Sequence, residues 1–145
     1  MGVFRPEICN ARELKFQRWA LWRDRADIKG SVSPGVYLLA QIKNGVPKIV
    51  DPLYPEIVYV GETSGQTLRS RWNQFNRSAF EGKFGHSGGR NYREIIDSNS
   101  RLLYVAALPV DFEEPFSSTY IRYLERLVLV DFVFRHGRRP VCNLK

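Results

Sequence analysis

The hydrophobic period changes once, near Thr67, and that change restricts the chain to folds that combine strands with helices. Before it lie two apolar runs of strand length, residues 35–42 and 57–61. Short apolar runs bounded by turn residues suit strands buried on both faces. Asn44-Gly45 between them is a strong turn signal, residues 48–50 could return as a short strand, and Pro52 and Pro55 bracket a loop. After the change, Leu68, Trp72, Phe75 and Ala79 recur at helical spacing, with Thr67 placed to cap them. A Gly-rich loop is expected over 82–89, a short helix over 92–96, and a third buried strand over 102–108. Residues 120–134 then form a helix capped by Ser117 or Ser118, with Val128, Val130 and Val133 keeping a strand open as the alternative. Upstream, residues 11–28 carry Leu14, Trp19, Leu21, Trp22 and Ala26 among charges, the pattern of an amphipathic helix. The order predicts an α+β domain with a small, largely antiparallel three-stranded sheet flanked by helices over 35–145 and an N-terminal helical extension over 1–34.

A length of 145 residues suits a single domain. The longest apolar run, seven residues, is far short of the ~20 that a membrane span needs, and the first residues lack the features of a secretory signal, so a cytoplasmic protein without a membrane partner is expected. Cys9 and Cys142 have neither CxxC spacing nor neighbouring His pairs and read as free thiols. The formal charge of +7 biases the surface toward polyanions. Arg69, Arg71, Arg77, Lys83, Arg90 and Arg93 crowd one middle segment, interleaved with Trp72, Phe75, Phe80 and Tyr92, and Arg135, Arg138 and Arg139 crowd the C-terminal end. Arg69, Arg77, Lys83, His86, Arg90 and Arg93 are therefore the candidate nucleic-acid-binding residues.

Gly35-Val36-Tyr37 in the first strand and Tyr59-Val60-Gly61 in the next are followed in order by Arg71 in the next helix, Glu125 in a later helix and Asn143 near the C-terminus. This series resembles the GIY-YIG endonuclease family over roughly residues 35–145. The resemblance implies a metal-dependent DNA endonuclease that hydrolyses phosphodiester bonds, with Tyr37, Tyr59, Arg71, Glu125 and Asn143 as catalytic residues. It implies one Mg²⁺ or Mn²⁺ held on Glu125 and no small-molecule cofactor.

The residue chemistry is compatible with those roles. Arg71 lies three residues after Leu68 and four before Phe75, on the margin of the stripe that packs on the sheet. From there its guanidinium fork can reach a phosphate, the alternative being an Arg that snorkels to solvent. Glu125 is the sole carboxylate between Thr119 and Val130, which suits a single cation, the alternative being a pair with Arg122. A motif tyrosine would accept the proton from water, with Tyr37 favoured as base and Tyr59 as its orienting partner. Only about one phenol in a thousand is ionised at neutral pH, a cost of roughly 4 kcal/mol that Arg71 and the cation would reduce. Asn143 would hold the site in shape by side-chain hydrogen bonds, the alternative being a C-terminal turn.

Three departures from the family pattern are present. The linker between the tyrosines is long, Glu62 stands where a basic residue is common, and Phe75 stands where some relatives carry His. His86 among glycines could substitute for that His, although a surface-loop His without a role fits its setting better; His136 reads as surface. A catalytically silent nucleic-acid-binding module of the same fold is the competing reading, and an RNA-binding domain is a weaker third for want of any RNA motif. No separate DNA-binding domain is evident, which leaves target preference to the N-terminal helix, the inserted loop or a second subunit in a homodimer.

Overall fold

The computed structural model describes residues 10–144. Cys9 and the N-terminal residues read above for a secretory signal lie outside the described residues. The structure is an α+β fold whose four-stranded antiparallel sheet has the order β1-β4-β2-β3, with β1 at Ala20–Leu21, β2 at Gly35–Gln41, β3 at Ile57–Thr63 and β4 at Leu103–Pro109. Three α-helices accompany it among the described residues: α1 at Leu68–Phe80, α2 at Ser87–Ile95 and α3 at Phe116–His136.

Every residue of β2 is buried, because the sheet is covered on both faces. Val36, Leu38 and Ala40 pack with Ile121, Leu124, Val128 and Phe132 of α3. Tyr37 and Leu39 face the other way, into a cluster with Leu68, Trp72 and Phe75 of α1 and Tyr92 of α2. Period-2 alternation thus divides one strand between two cores, which is why its sequence is apolar throughout. The expected cap is in place: the Thr67 hydroxyl accepts from the Ser70 amide at 3.0 Å. No helix among the described residues is long and apolar enough to cross a membrane.

The expected N-terminal helical extension does not appear among the described residues. Residues 11–28 instead form two 3₁₀ segments, Ala11–Glu13 and Trp22–Asp27, flanking β1, which pairs with β4 and makes the sheet four-stranded instead of three-stranded. The physical reason lies in its aromatic anchors. Phe16 and Trp19 are buried on the α3 side of the sheet, whereas Trp22 is buried on the α1 side, where its indole N–H donates to Asn76. A helix would carry Trp19 and Trp22 on one face; a chain that wraps around the edge of β4 delivers them to opposite faces.

Two further differences concern loops. Residues 48–50 form no strand, and β2 and β3 pair across a long irregular linker, residues 42–56. Neither Ser117 nor Ser118 caps α3, which begins after Pro115 with the Ser118 amide and hydroxyl both donating to the Glu114 carboxylate. His136, read as surface, is half-buried with its ring 4.4 Å from that of Phe132 and its Nε2 donating to the Leu53 carbonyl.

Candidate functional site

The side chains singled out above converge on the outer edge of β3. Tyr37 and Gly61 are register partners on β2 and β3, and Tyr59 pairs with Leu39. The register is unbroken from the Tyr37–Gly61 pair to the Leu39–Tyr59 pair, which puts both tyrosines on one face of the sheet; it shifts only beyond them, in a β-bulge between Ile57 and Tyr59. Their rings lie 6.1 Å apart, and Tyr37 also meets Trp72 edge-on at 6.1 Å. A Cβ on Gly61 would fall 2.6 Å from the Tyr37 hydroxyl and 2.7 Å from Tyr59 Cε2. The glycine of the second tripeptide is therefore a steric requirement of the tyrosine pair.

His86 is the largest surprise. It is 3% exposed, not a surface-loop residue, and its Nε2 lies 3.0 Å from the Tyr37 hydroxyl. The ring caps the first turn of α2, where Nδ1 accepts from the Gly89 amide at 3.2 Å. An acceptor Nδ1 leaves the proton of a neutral imidazole on Nε2, so His86 donates to Tyr37. Burial first, then the nearby Arg71 charge, lowers its pKa to about 3 and keeps the ring neutral. The expected Gly-rich loop is shortened at its end because Ser87, Gly88 and Gly89 start α2. A Cβ on Gly88 would meet the Tyr59 ring at 2.5 Å, and one on Gly89 would meet the Phe75 carbonyl oxygen at 2.7 Å. Close packing thus outweighs the helix-propensity cost of two glycines, about 1 kcal/mol each.

This ring makes the stability of the protein depend on pH in a defined direction. In the unfolded chain His86 takes a proton below about 6.5; in the folded protein it does so only near 3. The unfolded state binds the extra proton throughout that window, so stability is lost as pH falls through it, by up to ~1.4 kcal/mol per unit from this group. Urea melts should show wild type losing roughly 1–2 kcal/mol relative to His86→Gln between pH 6.5 and 5. Parallel pH profiles of the two proteins would mean that His86 protonates freely in the fold.

Arg71 stands where its helical position placed it, half-buried beside the Tyr37 hydroxyl and close enough to influence Tyr59 and His86. Its Nη1 donates to Gln74 Oε1 at 2.9 Å, and Gln74 in turn exchanges hydrogen bonds with Gln66. That glutamine pair orients the guanidinium; nothing in its spacing distinguished it from ordinary polar surface. Asn143 is buried, and its carboxamide makes two hydrogen bonds to Val60, accepting from the amide at 2.8 Å and donating to the carbonyl at 2.9 Å. The Cys142 amide donates to the Val58 carbonyl at 2.8 Å, so the C-terminal segment flanks β3 on either side of Tyr59. Cys142 is a free, buried thiol whose pKa burial pushes up to about 12.

Tyr59 and Glu125 line a common cavity of about 370 Å³ with Arg90, Asn91 and Asn143. The Glu125 side chain is 18% exposed, and Arg126 Nε approaches it at 3.6 Å. Burial, then Glu62, raises its pKa despite Arg126. Glu62 pairs with Val36 on the face of β3 that looks toward α3, and its Oε2 is buried without a hydrogen-bond partner. An orphaned carboxylate oxygen beside a second carboxylate that resists ionisation is a site where a cation fits. No cluster of three His, Cys, Asp or Glu occurs among the described residues, so Glu125 with Glu62 nearby is the donor set on hand.

The basic residues divide. Lys83, Arg90 and Arg93 line a neighbouring cavity of about 440 Å³ with His86 and the highly exposed Phe84. Arg77 is exposed on α1, and Arg69 turns back to donate to the Ala26 carbonyl at 3.0 Å. Trp72, Phe75 and Tyr92 are core residues and take no part in a surface. Comparison of the chain with protein-family models, with curated proteins and with solved structures returned no match.

Proposed function

We propose that the protein is an endonuclease that hydrolyses DNA phosphodiester bonds with one divalent cation held by Glu125, through a GIY-YIG-type site. The observation that carries this reading is the convergence of Tyr37, Tyr59, Arg71, His86, Glu125 and Asn143, drawn from six separate segments, on one edge of β3. Lys83, Arg90 and Arg93 give the adjoining cavity the charge that a polyanion requires.

Access supports one division of labour between the two tyrosines. Tyr37 is fully buried with its hydroxyl on His86, so it positions its neighbour, whereas Tyr59 opens on the Glu125 cavity and is the group to receive a proton. The sequence favours the opposite roles, with Tyr37 as base; the opening of Tyr59 on the cavity supports this order instead. Burial raises the Tyr59 phenol to about 12, against the opposing effect of Arg71. Forming a free phenolate at neutral pH would then cost about 7 kcal/mol, so Tyr59 accepts the proton of the attacking water only as its own hydroxyl proton passes on to solvent in the open Glu125 cavity, in one step with the attack. Arg71 binds the phosphate and offsets the charge that develops on it. The cation, when bound, supplies Lewis-acid polarisation of that phosphate, and Glu62 adds negative charge to its surroundings.

Incubating purified protein with supercoiled plasmid tests the reading. Nicked or linear product is expected with Mg²⁺ or Mn²⁺ and none in EDTA. Undiminished cleavage in EDTA rejects the cation, and no cleavage with either ion rejects the enzyme.

A further inference from the structure

The outer face of α3 carries an apolar seam that the site does not use. Phe116, Tyr120, Tyr123, Leu127, Val130 and Phe134 follow one another at intervals of four, three, four, three and four residues, the spacing of a coiled-coil stripe. The seam is continuous over about 27 Å of helix. It lies away from the Ile121, Leu124, Val128 and Phe132 face that packs on the sheet. Phe116 is 58% exposed, Tyr123 36%, Val130 47% and Phe134 79%, while Tyr120 leans on the core and Leu127 is a buried core residue beneath the seam. A monomer that displays exposed apolar side chains at both ends and the middle of one helix face is carrying an interface.

The two halves of the seam differ, and they complement each other. The N-terminal half is a ladder of rings: Phe112 and Phe116 at 5.5 Å, Phe116 stacked on Tyr120 at 5.4 Å, and Tyr120 stacked on Tyr123 at 6.3 Å. The C-terminal half is a groove of about 280 Å³ lined by Arg126, Leu129, Val130, Val133, Phe134 and Arg139. The seam is also palindromic about position 125. Antiparallel pairing of two α3 helices brings Phe116 opposite Phe134 and Tyr120 opposite Val130, each pair occurring twice about the twofold axis, with Tyr123 over the buried Leu127 near the centre. Charge follows the same symmetry: exposed Asp111, Glu113 and Glu114 precede the helix, and exposed Arg135, Arg138 and Arg139 follow its apolar end. Near the axis the two Arg126 side chains approach each other, but the ion pair with Glu125 draws each guanidinium toward its own site.

We propose that α3 is a dimerisation helix, two copies of this chain pairing antiparallel so that the aromatic ladder of each fills the apolar groove of the other. Parallel pairing would set ladder against ladder and acid against acid. The opposite ends of α3 make the partner a second copy, since one helix supplies both knob and hole.

Sedimentation velocity at tens of micromolar protein is expected to show a dimer. Val130→Arg and Phe134→Arg, both at exposed positions outside the site, should weaken it by at least about tenfold with unchanged circular dichroism. Direction is read by disulfide trapping in a Cys9→Ser background: chains with Tyr120→Cys should cross-link to chains with Val130→Cys. A monomeric wild type, or a dimer indifferent to both arginines, overturns the proposal. Val130→Cys linking only to itself overturns the antiparallel arrangement.

Discussion

Replacing Glu125 by Gln is expected to lower plasmid cleavage in Mg²⁺ or Mn²⁺ by roughly three orders of magnitude while leaving DNA binding in EDTA intact. The substitution keeps side-chain size and most of the helix propensity, so α3 should hold its place. It removes a carboxylate whose ionisation Glu62 opposes, and binding should tighten slightly as a negative charge leaves the phosphate's neighbourhood. A purely structural Glu125 would behave differently. Its pair with Arg126, 72% exposed on the arginine side, is of the kind worth at most about 1 kcal/mol, and its loss would leave cleavage as it was. Gel shift in EDTA and nicking in Mn²⁺ on the same preparation separate the two. Tight binding by wild type and variant with cleavage by neither would instead identify a silent nucleic-acid-binding module.

Arg71→Ala should reduce cleavage by about two to three orders of magnitude, because it removes the group proposed to hold the phosphate beside Tyr59. The melting temperature should barely move, since Arg71 hydrogen-bonds to Gln74 at the margin of α1 and is not part of its buried face. Arg71→Lys should recover only part of the loss, a point charge replacing a two-pronged donor. An independent readout comes from His86, whose pKa Arg71 helps to lower: without the guanidinium the imidazole resonances should titrate at higher pH. Normal cleavage by the alanine variant would shift phosphate binding to the rim of Lys83, Arg90 and Arg93.

Elements whose residues serve one core were legible in the sequence. The α1 stripe of Leu68, Trp72, Phe75 and Ala79 all enters one cluster, so its period survives in the chain, and a hydroxyl cap marks its start. Strands β2, β3 and β4 showed as apolar runs because the sheet is covered on both faces. Residues 11–28 were misleading because Trp19 and Trp22 serve different cores, which a periodicity argument cannot separate. The start of α2 was hidden because Gly88 and Gly89 are there for close approach to Tyr59 and Phe75. At the site, the spacing of Arg71 placed it correctly toward the tyrosines. The burial of His86 depends on the packing of α2 against α1, which no local pattern carries.

The short C-terminal strap does more than set the position of Tyr59. As the outermost strand in the sheet order, β3 would otherwise present its free peptide groups to any passing chain. The Cys142 amide and the Asn143 carboxamide occupy those groups at Val58 and Val60. Stripping them away would uncover a run of Ile57, Val58, Tyr59 and Val60 that is uncharged and rich in β-branched and aromatic residues, the composition that recruits further strands. The residues from Val141 to Leu144 thus cover the free edge of β3, and disrupting their hydrogen bonds should disturb the placement of Tyr59 and lower colloidal stability together.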